Sequence, residues 1–327
     1  MAHQLTIRQN GSAEMAYIGA TPWHQLGQQL DPNASIASWQ QAAGFDWTIQ
    51  DAPAQFQAPD GTYRAVPERK VLFRSDTQTP LAVVGDRYQV VQPQTMLEFF
   101  ADLIHAHGYK IHTAGSLYGG RKLWALAETG KCADVTSQDT LTRFLLLATS
   151  CDGSLSTTAR FTTVRVVCAN TLAIAHKRSH AGVVTVRHTS LFDQQKVKID
   201  LGIYADRFEA FMAETRSLAA KSLTSLQAEN FILSLLTKST ASNASQPQED
   251  ALRKSRAFKR IIALFEGDGM GAQLNGARGT YWGLVNAVTQ YIDHDIPTRA
   301  ADARLDSAWF GKGDSFKSLA FTEALTA

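Results

Sequence analysis

The amino-acid sequence predicts an α+β fold, in which a hairpin-rich antiparallel sheet with one packed helix is followed by a helical C-terminal part. Two glycine turns, Tyr118-Gly119-Gly120 and Asp152-Gly153, each separate two runs of β-branched and aromatic residues, which is the pattern of a β-hairpin. After residue 199 the apolar residues instead recur every three or four positions, as they do on one face of a helix. Strand and helix patterns do not alternate regularly, so a doubly wound parallel fold is not expected.

The N-terminal half carries a local signal for each predicted element. Residues 1–50 are poor in charge and are expected to form an arm with one short helix, capped by Ser35. Between residues 47 and 92, short strands are predicted at 47–50, 63–66 and 70–74, separated by turn-forming residues. Pro93 opens a helix with apolar residues at helical spacing, and Gly108 stands at its expected C-cap.

The two hairpins and the helical region follow in order. The first hairpin is predicted over 110–127 and the second over 141–167, with a further short strand at 183–187. Residues 170–175 are predicted to begin a helix. Four helical segments are expected after residue 199, and the Ser/Asn/Gln-rich residues 237–248 between them form a predicted linker. The expected organisation is an arm (1–50), an α+β core domain (51–200) and a helical region (201–327).

Composition and charge exclude several classes of protein. The 327-residue chain is 44% hydrophobic and has a net charge of +2, which excludes a disordered chain and a globally basic one. Its three cysteines form no CxxC pair, so reduced thiols and a cytoplasmic protein are expected. The sequence has no apolar run long enough for a membrane span and no predicted signal peptide.

The motifs of common enzymes are absent or weak. The chain has no GxxxxGK[ST], HExxH or GxSxG motif, and the glycine-rich loop at 267–279 follows a helix rather than a strand. Cys151 lies beside a turn without an identifiable base, and Asp293-His294-Asp295 is explained as well by a helix end as by a cation site. We therefore expect no catalytic residue, no bound metal and no cofactor.

The distribution of charge is more informative than the total. Residues 143–198 contain eight basic and two acidic residues, a net charge of 8 − 2 = +6, which leaves 24 − 28 = −4 for the rest of the chain. Strand parity places Arg160 on one face with Thr158 and Thr162, and Arg165 on the other face with Phe161. A second basic run, at 253–260, is expected to be a solvated helix face.

These cations predict contacts with nucleic acid, because basic strands can follow a phosphate backbone while aromatic rings stack on the bases. Solvated strand ends are the alternative explanation. The predicted phosphate contacts are Arg160, Arg165, Arg121, Lys122, Lys177, Arg178, Arg143, Lys70 and Arg74, and the predicted stacking residues are Phe161 and Tyr118.

Several long motifs resemble those of the phage/plasmid-like family known as domain of unknown function number 932. They are the string Ala148-Thr-Ser-Cys-Asp-Gly that continues to Leu172, together with Gly19–His24, Asp86–Pro93, Thr280–Ala287 and Leu305–Gly311. The resemblance covers nearly the whole chain. It implies a protein carried on phages, plasmids and integrated elements, and it supplies no catalytic residues.

A looser analogy concerns the fold. A helix packed on a hairpin-rich antiparallel sheet looks like the core of single-strand annealing proteins, the group of Red-beta, RecT, Erf and the Rad-fifty-two type. The analogy implies a homo-oligomeric ring or filament that holds single-stranded DNA for recombination without a cofactor. Two alternatives stay open: a metal-dependent enzyme acting on nucleic acid or nucleotide, and a protein-interaction module that blocks a host defence.

Overall fold

The computed structural model describes residues 5–8, 10–19, 26–167, 171–173, 183–202, 207–239, 246–297 and 301–327. These residues form an α+β fold, as the sequence predicts. No helix among them has the length and apolar character needed to cross a membrane.

A large mixed sheet contains most of the strands. Its strands are β1 (Met15–Tyr17), β2 (Gln28–Gln29), β6 (Lys110–Leu117), β7 (Lys122–Thr136), β8 (Asp139–Ser150), β9 (Thr157–Arg165), β10 (Thr171–Ala173) and β11 (Val183–Val186). Their order in the sheet is β10-β9-β8-β7-β6-β1-β2, and β11 also pairs with β9.

Both predicted hairpins lie in this sheet. β6 and β7 pair antiparallel around a short 3-10 turn at 118–120, where Gly119 and Gly120 have φ angles of 72° and 97°. Residues with a Cβ rarely adopt these angles, which explains the glycine pair. β8 and β9 are neighbours in the sheet, and Gly153 between them has a φ of 76°.

A separate three-stranded antiparallel sheet contains β3 (Ile49–Gln57), β4 (Tyr63–Arg74) and β5 (Pro80–Gly85). The two short strands predicted within 63–74 are one long strand, and β5 was not predicted. Pro80 is the first residue of β5, a position where the missing amide hydrogen is tolerated.

The helices account for the rest of the regular structure, and α7 and α8 each continue into a π-helical turn, at 264–268 and 291–295. The helices are α1 (Ile36–Ala42), α2 (Pro93–His107), α3 (Gln194–Gly202), α4 (Arg207–Ala220), α5 (Ser225–Ser239), α6 (Gln246–Lys254), α7 (Arg256–Ala263), α8 (Tyr281–Gln290), α9 (Ala301–Phe310) and α10 (Lys312–Thr326).

Several predicted helix ends are confirmed. The Ser35 hydroxyl accepts a hydrogen bond from the Ser38 amide at the start of α1, and Gly108 ends α2 with a φ of 67°. The helix predicted over 170–175 is wrong, because residues 171–173 form β10 and pair with β9. Half of the predicted linker, residues 240–245, lies outside the described residues, and its two described ends belong to α5 and α6.

The chain divides into two compact units. Unit 1 contains residues 1–130, 144–160 and 183–203, and unit 2 contains residues 131–143, 161–182 and 204–327. The core of unit 1 includes four buried α2 residues, Met96, Leu97, Phe99 and Phe100, and that of unit 2 includes α5, α7 and α8. Each unit is made of three separate stretches of the chain. The predicted organisation into three consecutive regions, an arm, a core domain and a helical region, stays a prediction.

Candidate nucleic-acid interface

Arg165, a predicted phosphate contact, is an internal counter-ion of unit 2. Its side chain is 1% exposed, its Nε donates to Asp139 Oδ1 at 2.6 Å, and its Nη2 donates to Asp139 Oδ2 at 2.7 Å. The Trp282 indole nitrogen donates to the same carboxylate at 2.9 Å. The N–H groups of this buried guanidinium point into the protein and not towards solvent. Arg165 therefore does not belong to a nucleic-acid surface.

Arg74 has the same kind of environment in unit 1. It is 3% exposed, its Nη2 donates to Glu14 Oε1 at 2.6 Å, and its Nε donates to Asp76 Oδ1 at 2.9 Å. The guanidinium carbon also lies 4.0 Å from the centre of the Trp47 ring. Burial opposes the charge, but the hydrogen bonds to Asp76 and Glu14 outweigh it and raise the pKa of Arg74.

Two other predicted contacts cover each other within unit 2. Arg143 is 3% exposed, and its guanidinium carbon lies 3.6 Å from the centre of the Phe161 ring, which is itself 6% exposed. A base cannot stack on a buried ring whose face is already occupied by a cation. Neither residue is therefore placed to contact DNA.

The remaining predicted residues differ in exposure. Lys122 is buried with its ammonium 5.7 Å from the centre of the half-buried Tyr118 ring, whereas its neighbour Arg121 is exposed. Half-buried Lys70 lies 3.5 Å from a carboxylate oxygen of Asp51. Lys177 and Arg178 lie outside the described residues.

Arg160 belongs to a partly open surface of unit 1 that we call the β9–β11 strip, defined as Thr158, Arg160, Thr185 and Arg187. Antiparallel pairing sets Thr185 opposite Thr158 and Val183 opposite Arg160. Directly opposed residues share a face, so Thr158, Arg160, Val183 and Thr185 point to the same side of the ladder. Thr185 and Arg187 are exposed, and Thr158 and Arg160 are half-buried.

The other face of the same ladder is closed along β9, whereas Val184 and Val186 of β11 are half-buried there. Thr157 and Ala159 are buried, and the Thr157 hydroxyl lies 2.8 Å from the Thr149 hydroxyl of β8. Burial therefore alternates from Thr157 to Phe161 as the strand parity indicates, and the alternation ends at Thr162, which is buried on the side of Arg160. The Thr158 hydroxyl donates to the Ser156 carbonyl oxygen at 2.9 Å. The donors of the strip for phosphate oxygens are therefore its cations and the Thr185 hydroxyl, a combination typical of a surface that follows a phosphate backbone.

The sequence included Arg187 in the basic stretch but not among the predicted contacts. The strand signal at 183–187 was recognised, but its partner was not. Only the register between β11 and β9 shows that Thr185 shares a face with Thr158.

In the glycine-rich loop of unit 2, several backbone amides donate hydrogen bonds within the loop itself. The amides of Gly269, Ala272, Leu274 and Ala277 donate to carbonyl oxygens within 264–274, and the Met270 amide donates to Gln290 Oε1 at 2.8 Å. A phosphate-binding loop requires amides that point outward, and these do not.

The carboxylates of Asp293-His294-Asp295 are engaged by cations. Asp293 Oδ1 accepts a hydrogen bond from buried Lys317 at 2.6 Å, and Asp295 Oδ2 accepts one from Arg260 Nε at 2.6 Å. Within the described ranges, no three His, Cys, Asp or Glu side chains are grouped so that they could hold a metal ion.

Cys151 is a buried thiol in unit 1. Its sulfur lies 3.4 Å from the Arg121 carbonyl oxygen, and burial raises the pKa of the thiol to about 12. A thiol with this pKa forms almost no thiolate near neutral pH, so a structural role is favoured over a nucleophilic one.

The comparisons with known proteins identify the family. The family described as Domain of unknown function (DUF932) matches residues 80–309, which is more than half of the chain, and the protein belongs to that family. No curated protein and no solved structure matches the chain. The β3–β4 hairpin lies before the matched residues, whereas the β9–β11 strip lies within them.

Proposed function

We propose that this protein binds single-stranded DNA and anneals complementary strands during recombination of a phage or plasmid, as a cytoplasmic homo-oligomer. One observation carries the proposal: Thr158, Arg160 and Thr185 share a partly open strand face, and exposed Arg187 follows the end of β11 directly. Phosphate contacts supply most of the affinity of sequence-independent binding. Annealing needs no bound cofactor, since the strands themselves supply the pairing energy.

The burial of several basic residues narrows the proposed interface. Arg165, Arg74 and Arg143 are internal and are removed from it. Arg160 and Arg187 are its central cations, and exposed Arg121 is a further candidate in unit 1.

The test is a titration of labelled oligothymidine, followed by fluorescence anisotropy at several salt concentrations. Each phosphate contact with a single strand contributes a slope of about −0.7 to the dependence of log K on log salt. The Arg160→Gln/Arg187→Gln variant is therefore expected to weaken binding and to reduce the slope by about 1.4. Circular dichroism checks that the double variant is folded. Arg187→Gln alone changes only an exposed residue and is expected to reduce the slope by half as much, about 0.7.

The matched control is Lys254→Gln/Lys259→Gln, which removes the same charge from exposed residues of α6 and α7 in unit 2. This control is expected to bind almost as the wild type does. Equal losses in the two double variants, or no binding by the wild type at low salt, would contradict the proposal. Annealing of complementary fluorescent strands is expected to persist in the presence of a chelator, which separates it from a metal-dependent reaction.

A further inference from the structure

His188, two residues after the end of β11 in unit 1, connects three segments of the chain through its imidazole. Its Nδ1 lies 3.1 Å from the Gln89 carbonyl oxygen, in the loop that precedes α2, and its Nε2 lies 2.9 Å from the Leu155 carbonyl oxygen, just before β9. The Gln89 amide also donates to the His188 carbonyl oxygen at 2.5 Å. The ring therefore has a backbone acceptor at each nitrogen.

This arrangement requires two donors from one ring. A carbonyl oxygen only accepts hydrogen bonds, and a neutral imidazole has one N–H and one unprotonated nitrogen. In the neutral ring, one nitrogen lone pair would face a carbonyl oxygen without a hydrogen between them. An imidazolium has an N–H on both nitrogens, and only this form completes both contacts of His188.

Tyr88 stabilises the charged form of His188, because its aromatic ring lies against the face of the imidazole. Its ring stacks on the imidazole with centroids 4.5 Å apart and an interplanar angle of 15°, an arrangement that attracts a cation. The Tyr88 hydroxyl donates to the Ser150 carbonyl oxygen at 3.0 Å and accepts from the Gly153 amide at 3.2 Å. The β8–β9 turn thus holds Tyr88 in place against His188.

Three other titratable residues of these segments, Tyr88, Cys151 and Asp152, do not change their protonation near neutral pH. Burial raises the pKa values of Tyr88 and Cys151 to about 12, so both stay protonated. Burial also acts to raise the pKa of Asp152, but hydrogen bonds from Ser154 outweigh it and keep that pKa low. The remaining charged residues of these segments are Asp86, Arg87, Arg187 and Asp193.

We propose that His188 is a proton-dependent clasp that regulates the β9–β11 strip. The regulatory part of this inference rests on the proposed function. Uptake of a solvent proton by the imidazole completes both hydrogen bonds and fixes the end of β11, where Arg187 precedes His188. Loss of the proton removes one of the two bonds and releases the contact with Gln89 or Leu155. Histidine is suited to this role because it changes charge near neutral pH.

The clasp is tested by hydrogen–deuterium exchange of the full chain at pH 6 and pH 8, corrected for the intrinsic effect of pH. In the wild type, peptides covering 86–92 and 150–156 are expected to exchange faster at pH 8, whereas peptides from α2 are unchanged. In His188→Gln they are expected to exchange fast at both pH values. Both donors of the Gln amide are on one nitrogen, which cannot reach carbonyl oxygens that lie at two different nitrogens of the imidazole ring. His105→Gln, at an exposed residue near the end of α2, is the control and should behave as the wild type.

A second measurement tests regulation of the strip. The affinity of the wild type for oligothymidine is expected to fall about fivefold from pH 6 to pH 8, which corresponds to the loss of one hydrogen bond. The affinity of His105→Gln should fall by the same factor, whereas that of His188→Gln should change little. Equal exchange at both pH values would overturn the clasp, whatever the DNA result. Absence of DNA binding at every pH would overturn the proposed function instead, and the exchange data would still decide the clasp. A third outcome is that the exchange data agree with the clasp while the affinity of His188→Gln for oligothymidine falls from pH 6 to pH 8 as much as that of the wild type. That result would overturn the regulatory role.

Discussion

Arg165 and Asp139 form a two-point ion pair inside unit 2, with hydrogen bonds of 2.6 and 2.7 Å between guanidinium and carboxylate. The partners are 26 residues apart in sequence. Asp139 lies just outside the basic stretch 143–198, so the charge count of that stretch contains a cation that is neutralised from outside it. The net charge of a segment therefore overestimates the charge that it presents to a ligand.

Removal of one partner of this pair is expected to destabilise the protein strongly. Arg165→Met leaves the Asp139 carboxylate buried without its counter-ion, which typically lowers the free energy of unfolding by about 3–5 kcal/mol. Urea denaturation followed by circular dichroism measures the change. The Arg165→Met/Asp139→Leu variant removes both charges and is expected to recover much of the loss. A single variant as stable as the wild type would show that the pair is unimportant.

Gly283, in the first turn of α8, is predicted not to tolerate even a methyl group. A Cβ at this residue would lie 1.8 Å from the Ala277 carbonyl oxygen, so the backbone must move. We expect Gly283→Ala to reduce the free energy of unfolding by about 3 kcal/mol or more, at or above the usual range for overpacking. Gly279→Ala is the comparison, because its Cβ meets nothing within 4 Å but its φ is 64°. That variant should lose about 1–2 kcal/mol, and the reverse order of the two effects would contradict the packing argument.

The cysteines are predicted to differ in reactivity. Cys132 is exposed and should be alkylated in the native protein, whereas Cys151 is buried with a pKa of about 12 and should react only after unfolding. Peptide mapping by mass spectrometry after iodoacetamide treatment at pH 8, with and without urea, distinguishes the two. Rapid modification of Cys151 in the native state would reopen a nucleophilic role for it.

Asp76 is predicted to contribute to stability at neutral pH but not in acid. Its hydrogen bond with Arg74 is the main cause that holds the pKa of this carboxyl below its ordinary value of 3.8. A lowered pKa stabilises the fold above the ordinary value, and this contribution is lost as the pH falls below about 4. Thermal unfolding of Asp76→Asn should therefore show a lower melting temperature than the wild type at pH 7, with a gap that narrows towards pH 3.

Asp86→Asn provides the control for this pH dependence, since the Asp86 carboxylate is exposed and has no ion pair with any described residue. Its melting temperature should follow that of the wild type at each pH. A gap for Asp76→Asn that stays constant with pH would show that proton binding at Asp76 is not linked to folding.

The sequence predicted those features that local chemistry determines. Gly119 and Gly153 mark the two hairpin turns, and Gly108 ends α2, because each position requires a left-handed backbone that glycine adopts easily. β10 was missed because three residues carry little periodicity, and its conformation depends on pairing with β9. Pairing between strands that are not joined by a recognisable turn is decided by tertiary contacts, which local patterns do not contain.

The candidate site was predicted only in part for the same reason. Parity along β9 separated half-buried Arg160 from buried Arg165, although Thr162 is also buried on the side of Arg160. Parity alone does not state which face is covered. The carboxylates that engage Arg74 include Glu14, which is 60 residues away, so no local reading of the basic residues could remove Arg74 from the predicted surface.

The chain passes between unit 1 and unit 2 after residues 130, 143, 160, 182 and 203. On the ribosome, unit 1 is consequently complete only once residue 203 has emerged, by which time two pieces of unit 2 have already been synthesised. Those pieces, 131–143 and 161–182, must wait for the C-terminal helices. A fragment that stops near residue 200 would keep both pieces without the rest of their unit, including Asp139 and Arg165 without Trp282, and its behaviour would not represent that of the whole protein.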